Sequence, residues 1–553
     1  MQNKPNVLFV NLPTIPYKEI IKSLKKEQHI PQRTAMLMGI LYISAYLKKY
    51  NVFVGKIGIV DYILSLRDIS NFQNVEDFLL KVAKDSVSFS PDILAFSLNF
   101  STSHRIFIIC LEILKSIWPN TIVVVGGTHA TSAVSQILNN SHVDYLIRGE
   151  GEIAFSDFVT QYVKGLPISI KGVYSKNNIV DSSTLETTDF VENLDDLPFP
   201  DWELINMKIY ATQIANSREF GNSNKKVATI ITTRGCPNKC TFCSTHIVHG
   251  RKIRYRSVEN VVDEVKQLYE RFGITLFDPE DDMFTIPKKR CIELLNALDE
   301  LNIPEFEIQN QDGYSVNALD NDIIDAMLKI GIRLFNLAVE SGSEYVQRHI
   351  IHKYVKLHRV KEIIDYIRSK NNNTIIRCYF ILGFFGETKE QMKETIRFAK
   401  SIGADWCLFS VATPLIGTKM HQQMLDAGYI DNSSYFWEKA SFGQRCFDTP
   451  QISGKELEEL AYSANLDVNF INNINIKNKN YQKAITIFKD IVRVYQYHIV
   501  AWFCIMKCYK KLNNKKKADE TKKKIDFLIK KDNRSLEMFQ KYKHLMSGYK
   551  FDN

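Results

Sequence analysis

Three cysteines, Cys236, Cys240 and Cys243, stand at C-x3-C-x2-C spacing in the stretch 232–244, TTRGCPNKCTFCS. Thiolates are the usual ligands of iron–sulfur clusters, and a cubane has four irons. Three local thiolates therefore leave one iron open to a small molecule. Zinc is the other reading: it takes a fourth Cys or His, and His246 or His249 is near enough in sequence to supply one. The other seven cysteines (Cys110, Cys291, Cys378, Cys407, Cys446, Cys504, Cys508) are scattered, mostly in apolar runs, and are expected as small core residues. Ten cysteines in 553 residues do not suggest a disulfide framework.

The triplet follows an apolar run at 227–232. Five further runs lie at 275–278, 306–309, 333–339, 375–382 and 405–411, separated by helical patterns at 258–271, 288–301, 322–330, 355–369 and 389–401. Six strands alternating with helices predict a partial (β/α)6 barrel whose site lies at the C-terminal strand ends. An earlier alternating series has strands at 6–12, 52–60, 92–100, 121–125 and 143–147, with helical patterns at 36–50, 76–84, 104–117 and 131–138. It predicts an α/β fold, a doubly wound, Rossmann-like domain with ligand loops at 99–103, 126–129 and 148–152. The expected division is 1–165 for this domain, 166–222 for a linker, 223–445 for the barrel and 446–553 for an α-helical tail. The tail carries a faint tetratricopeptide-like pattern, with Ala484 and Ala518 offset by one repeat length. The tail past Asp448 is expected to be dispensable for cofactor loading, having no ligand-type cluster.

The cysteine spacing, with Phe242 before the last cysteine, resembles the signature of radical S-adenosylmethionine (SAM) enzymes. Other segments resemble that family in the same order: 277–285 (its F-x-D-D-x-F-T, with two residues' difference in spacing), 337–342 (G-V-E-S-G), 380–387 (F-I-x-G-x-P-G-E, with Phe385 where proline is usual) and 413–418 (P-x-P-G-T). The resemblance covers about 225–420. It implies a [4Fe-4S] cluster on Cys236, Cys240 and Cys243, with SAM on the open iron and cleaved by one electron to a 5′-deoxyadenosyl radical. It also implies SAM contacts from Phe242, Glu340, Ser341 and the backbone at Gly383.

The segments 91–98, 124–131 and 148–152 resemble the cobalamin-binding domain that precedes the barrel in one large radical SAM subfamily. Ser97, Leu98, Gly126, Gly127, His129, Gly149, Glu150 and Gly151 are the residues this assigns to the corrin; the glycines let backbone approach a flat ligand. No G-x-G-x-x-G opens a helix here, as a dinucleotide site requires. The D-x-H-x-x-G motif that supplies a histidine to cobalt in several cobalamin proteins is absent as well, so cobalt is expected to lack protein imidazole below it.

These resemblances imply methyl transfer to an unactivated carbon of a biosynthetic intermediate. The alternatives are cobalamin-assisted ring closure or oxidation, as in anaerobic magnesium-protoporphyrin monomethyl ester cyclase, and an iron–sulfur scaffold or regulator whose tail docks a partner. An external flavodoxin- or ferredoxin-type electron donor is expected. The net charge of +9 owes much to lysines in the last fifty residues, which read as a solvated helix face rather than a nucleic-acid site. No run of 18 apolar residues predicts a membrane span. The first residues enter an apolar strand without signal-peptide features, so a cytoplasmic location is expected.

Overall fold

The computed structural model describes residues 4–25, 36–178, 185–217, 225–433, 437, 443–549 and 551. The first sheet has six strands in the order β2-β1-β3-β4-β5-β6. They are β1 Val7–Asn11, β2 Ile57–Asp61, β3 Ile93–Ser97, β4 Ile122–Gly126, β5 Tyr145–Ile147 and β6 Val173–Tyr174. The first five pair in parallel, and β6 runs antiparallel to β5. Alternating side chains of one strand serve opposite faces. Val7 and Phe9 of β1 join a core with Leu41 and Phe158, whereas Leu8 and Val10 join one with Phe107 and Leu111. This two-faced burial is why these strands read as continuous apolar runs.

The strand order reverses between β1 and β3, the switch point at which such sheets bind ligands. The two loops there are tied together: Thr102 Oγ1 donates to Thr14 O at 2.9 Å and Ser103 Oγ to Pro13 O at 2.6 Å.

The barrel is split into two parallel arcs, β11-β10-β7 and β12-β13-β14-β15. The first arc contains β7 Val227–Ile230, β10 Leu276–Pro279 and β11 Glu307–Ile308. The second contains β12 Tyr314–Ser315, β13 Leu334–Glu340, β14 Ile375–Leu382 and β15 Trp406–Val411. All six expected runs are strands; β12, only two residues long, gave no periodic signal. Side-chain hydrogen bonds cross the seam between the arcs. Asn336 Nδ2 donates to Asn310 O at 2.6 Å, and Tyr379 Oη to Gln311 O at 2.8 Å. A short antiparallel pair, β8 Thr233–Arg234 with β9 Arg254–Tyr255, brackets the cysteine loop.

Helix Gly454–Leu466 falls in the segment expected as tail, yet Leu457, Ala461 and Ala464 share the barrel's core. Beyond it, helices Tyr481–Val494, Ile499–Lys511 and Lys515–Lys531 form a separate core around Phe488, Phe503 and Ile525. Trp406 of β15 reaches into that core and meets Phe470 edge-on. The tail is therefore joined to the barrel by apolar packing. Among the described residues no helix is long and apolar enough to cross a membrane.

Candidate active site

The cysteine loop leaves the C-terminal end of β7 and is pinned by acids from the segment after β10. Asp281 Oδ1 accepts from Thr232 N at 2.5 Å and Thr233 N at 3.0 Å, and Asp282 Oδ2 accepts from Gly235 N at 2.6 Å. These acids belong to the 277–285 motif, which thus positions the loop. Gly235 has φ +90°, and a Cβ there would lie 2.1 Å from Lys252 O, so glycine alone fits. Thr241 N and Oγ1 donate to Ile351 O and Ile350 O, both at 3.0 Å, and Thr241 O accepts from Met420 N at 2.9 Å.

The three cysteines are free thiols, each partly exposed. Burial pushes the Cys240 thiol up to about 12, with the Lys353 ammonium opposing; a metal would have to displace that proton. Among the described residues no three His, Cys, Asp or Glu side chains gather as a single ion requires; a cubane presents its irons at separate corners. His249, a candidate fourth zinc ligand, has Nδ1 at 2.9 Å from Glu150 Oε1 instead. The donor set, three free thiols on a loop held from both sides, fits a [4Fe-4S] cluster.

Glu340 ends β13 beside this loop. Its Oε1 accepts from Lys353 Nζ at 2.6 Å, and both side chains are largely buried. Glu340, His352 and Tyr354 all have positive φ (70°, 53° and 60°), and a π-helix spans Val346–Ile350. Such departures cost of order 1–3 kcal/mol each and persist where surroundings over-determine them. Gln347 does so here. Its Nε2 donates to Val339 O and Ser341 O, both at 2.7 Å, and its Oε1 accepts from Val355 N at 3.2 Å.

Phe242 sits against Phe384, ring centroids 5.3 Å apart. Ser341 is turned away from the loop: it is fully buried, with Oγ 3.0 Å from Thr395 Oγ1. Gly383 has φ +85°, but the close approach it permits is by Leu457 and Arg445. Its N donates to Glu387 Oε2 at 2.6 Å and its O accepts from Arg445 Nη2. Ser341 and Gly383 are thus committed to packing by groups that no local motif reveals.

On the N-terminal domain, Gly126 ends β4 in open space, with only Ile147 O at 4.0 Å from a notional Cβ. At Gly127 (φ +108°) a Cβ would lie 2.7 Å from Leu98 O, a carbonyl that also accepts from His129 N at 3.1 Å. Ser97 ends β3, its Oγ accepting from Asn99 Nδ2 at 3.1 Å. Gly149 has φ +108° beside Thr188, and Gly151 precedes helix Glu152–Val163 with Ile43 against it. Gly126 offers an open backbone edge of the kind a flat corrin requires, and Gly127 turns the chain there against Leu98. His129 is buried; its Nδ1 lies 2.9 Å from Ser101 Oγ and its Nε2 3.2 Å from His104 Nδ1. Burial lowers His104 to about 4 and His129 to about 3, so both imidazoles are neutral.

Glu150, expected at the corrin, instead spends its carboxylate on the barrel. It accepts from Arg254 Nη1 at 2.9 Å and Nη2 at 2.7 Å and from Val191 N at 3.2 Å, with Arg234 Nη1 at 3.5 Å. Glu152 Oε1 accepts from Arg234 Nη2 at 2.7 Å. Burial raises the Glu150 pKa, but Arg254, His249 and Arg234 outweigh it and hold the carboxyl well below the usual range. Sequence reasoning missed Lys353, Arg234 and Arg254 because their partners lie 13, 82 and 104 residues away.

The family model of the radical SAM superfamily matches residues 230–399, and that of the B12 binding domain matches 36–159. The chain is 27% identical over 482 residues to the cytidylyl-2-hydroxyethylphosphonate methyltransferase of Streptomyces wedmorensis, covering 80% of this chain and 88% of the relative. It is 30% identical to an uncharacterised methyltransferase of Pyrococcus horikoshii, covering 61% of this chain and 70% of that one. It is 28% identical to the anaerobic magnesium-protoporphyrin IX monomethyl ester cyclase of Cereibacter sphaeroides, covering 64% and 57%. Among solved structures, the cobalamin-dependent SAM radical enzyme OxsB matches 99% of this chain and 84% of its own at TM-score 0.62 and 15% identity. TsrM from Kitasatospora setae matches 77% and 78% at 0.58 and 14%. With these matches the chain belongs to the radical SAM enzymes that carry a B12-binding domain ahead of the barrel.

Proposed function

We propose that this enzyme transfers a methyl group to an unactivated carbon of a small biosynthetic intermediate. The observation that carries the proposal is the meeting of two edges. The loop after β5 meets the cysteine loop's exit through Glu150, which pairs with His249 and Arg254, and the turn at Gly417 after β15 stands between Ile247 and Ser132, its notional Cβ 2.9 Å from the one and 3.5 Å from the other. A [4Fe-4S] cluster there supplies the electron that splits SAM into methionine and a 5′-deoxyadenosyl radical, and cobalamin supplies the methyl group. Cys236, Cys240 and Cys243 hold the cluster. Glu340, fixed by Lys353, takes the SAM ribose or ammonium, and Phe242 closes the apolar side with Phe384. Gly126 and Gly127 admit the corrin edge. The division into a cobalamin domain, a barrel and a helical tail serves this labour, with the first sheet running on to β6 past 165 and the barrel taking in helix Gly454–Leu466 past 445, and an external flavodoxin- or ferredoxin-type protein delivers the electron.

Methyl transfer is favoured over ring closure because the phosphonate methyltransferase is matched over 88% of its length and the cyclase over 57%. The test is anaerobic incubation of reconstituted full-length enzyme with reductant, methyl-labelled SAM and anaerobic cell extract. Methyl transfer yields 5′-deoxyadenosine, S-adenosylhomocysteine and a product bearing the label. Deoxyadenosine without S-adenosylhomocysteine would establish the cyclase-type outcome instead.

A further inference from the structure

The cysteine loop is gripped on both flanks by two carboxylates of the neighbouring domain. On the side before Cys236, Arg234 donates to Glu152. On the side after Cys243, His249 and Arg254 converge on Glu150. Glu150, Glu152, Arg234 and Arg254 are all nearly excluded from solvent. Apolar faces reinforce the junction: the Arg234 guanidinium lies 5.2 Å from the Tyr42 ring centre and that of Arg254 4.9 Å from Phe190. Gly250 (φ +72°) turns the loop's exit against Phe190, whose ring would lie 2.7 Å from a Cβ at this position.

Buried charges are costly and tolerated only when paired with good geometry. Four of them at one seam form an arrangement that is sharply directional, whereas apolar contact alone would permit sliding. Glu150 stands in the loop after β5 and Glu152 opens the helix that follows, at the C-terminal end of the sheet where the proposed function places the corrin. We infer that Glu150 and Glu152 are positioning residues that lock the cluster-binding loop to the corrin-binding edge, so that ion pairs fix the separation of the two cofactors. The inference rests on the proposed function for its cofactors but not for the clamp itself.

Two measurements on the full-length chain test it. Hydrogen exchange of the segment 236–250 reads the clamp without any cofactor. Pulsed dipolar electron paramagnetic resonance between Co(II) and the reduced cluster reads the separation in the loaded protein. For Glu150→Gln, exchange is expected to rise roughly ten- to hundredfold, the scale of losing charge-assisted hydrogen bonds, and the distance distribution to broaden. Glu150→Asp should restore part of both. Glu152→Gln, which relieves only Arg234, carries the test if Glu150→Gln does not fold. A lowered melting temperature with unchanged exchange and an unchanged distance would overturn the inference and leave the ion pairs as stabilisers only. If the wild type takes up neither cluster nor corrinoid, the proposed function fails, while the exchange arm still decides whether the clamp exists.

Discussion

The side-chain amide of Asn469 makes both hydrogen bonds that a neighbouring strand would offer Cys407: Oδ1 accepts from Cys407 N at 2.7 Å and Nδ2 donates to Cys407 O at 2.6 Å. Asn465 repeats the pattern on Phe409 (3.2 and 2.9 Å), and Asn473 Nδ2 reaches Asp405 O at 3.2 Å. Four residues of helix rise about 6 Å and two residues of strand about 6.6 Å, so asparagines at every fourth position track alternate residues of β15. An unpaired edge is an aggregation liability, and here a helix closes it. Asn469→Ala should cost about 2–6 kcal/mol, from ~1–3 for each of the two orphaned backbone groups, read by thermal or denaturant unfolding. Truncation after Asp448 should give aggregating protein; a soluble, cofactor-loaded truncate would show that the helix is not needed and restore the expectation from sequence.

Each of Cys236→Ala, Cys240→Ala and Cys243→Ala should abolish the cluster and SAM cleavage while leaving the fold intact. Their side chains are partly exposed, and the loop is held by Asp281, Asp282 and Thr241 rather than by sulfur. Iron and sulfide analysis should give close to four of each in the wild type. A redox-active cluster surviving in the triple variant would refute the assignment, and stoichiometric zinc in the wild type would favour the other metal.

Corrinoid-loaded enzyme should show no cobalt coordination by a protein histidine. His129 and His104 are committed to each other and to Ser101, and Trp437 meets both rings edge-on, with centroids at 5.1 and 5.0 Å. Nitrogen-15 labelling of histidine should therefore leave the Co(II) resonance unchanged; an altered nitrogen splitting would contradict this.

Glu387 predicts a pH dependence. Burial raises its carboxyl to about 8, against the opposing pull of the Phe384 and Gly383 N–H groups and of Arg445. Its ordinary value is 4.5. Between these values the folded state binds more protons than the unfolded one, so this group's contribution to stability falls as pH rises, by up to ~1.4 kcal/mol per unit. Glu387→Gln keeps the shape without the charge. It should match the wild type near pH 5 and exceed it in melting temperature above pH 8. Parallel melting curves for the two proteins would rule this out.

Strand and helix positions were legible because apolar runs and 3.6-residue periods are local. Lys389–Ser401 was read at its observed limits, and its capping box of Thr388 and Gln391 shows why its start is sharp. The cysteine loop was legible because three thiols within eight residues are a local signal. The partners of Glu150 and Glu340 were not, since an ion pair depends on where distant strand ends meet, and the partner of Glu340 follows a π-turn that no period announces. The edge cap did leave a trace: asparagines recur every fourth residue at Asn465, Asn469 and Asn473, the first two on the helix that runs through a π-turn to Ile471 and the third at the start of the next, in a segment that otherwise reads as ordinary tail.

Glu340 gives the sharpest test of the SAM site. Its carboxylate stands at a strand end where barrels present functional groups, on a left-handed backbone that costs energy for any residue with a side chain. Lys353 satisfies one oxygen and keeps the buried charge tolerable. Glu340→Gln retains the shape and loses the charge. With Glu340 on the SAM ribose or ammonium, the variant should keep its cluster and lose SAM affinity by about ten- to hundredfold, the equivalent of ~1.5–3 kcal/mol for a charge-assisted hydrogen bond. Lys353→Met separates the two roles. If Glu340 serves only to pair with Lys353, either single change lowers the melting temperature, the double variant recovers part of the loss, and SAM binding per folded molecule stays at the wild-type value. If Glu340 holds SAM, the double variant recovers stability but not affinity. Titrating SAM into the four cluster-loaded proteins, with unfolding measured on the same samples, decides between these outcomes.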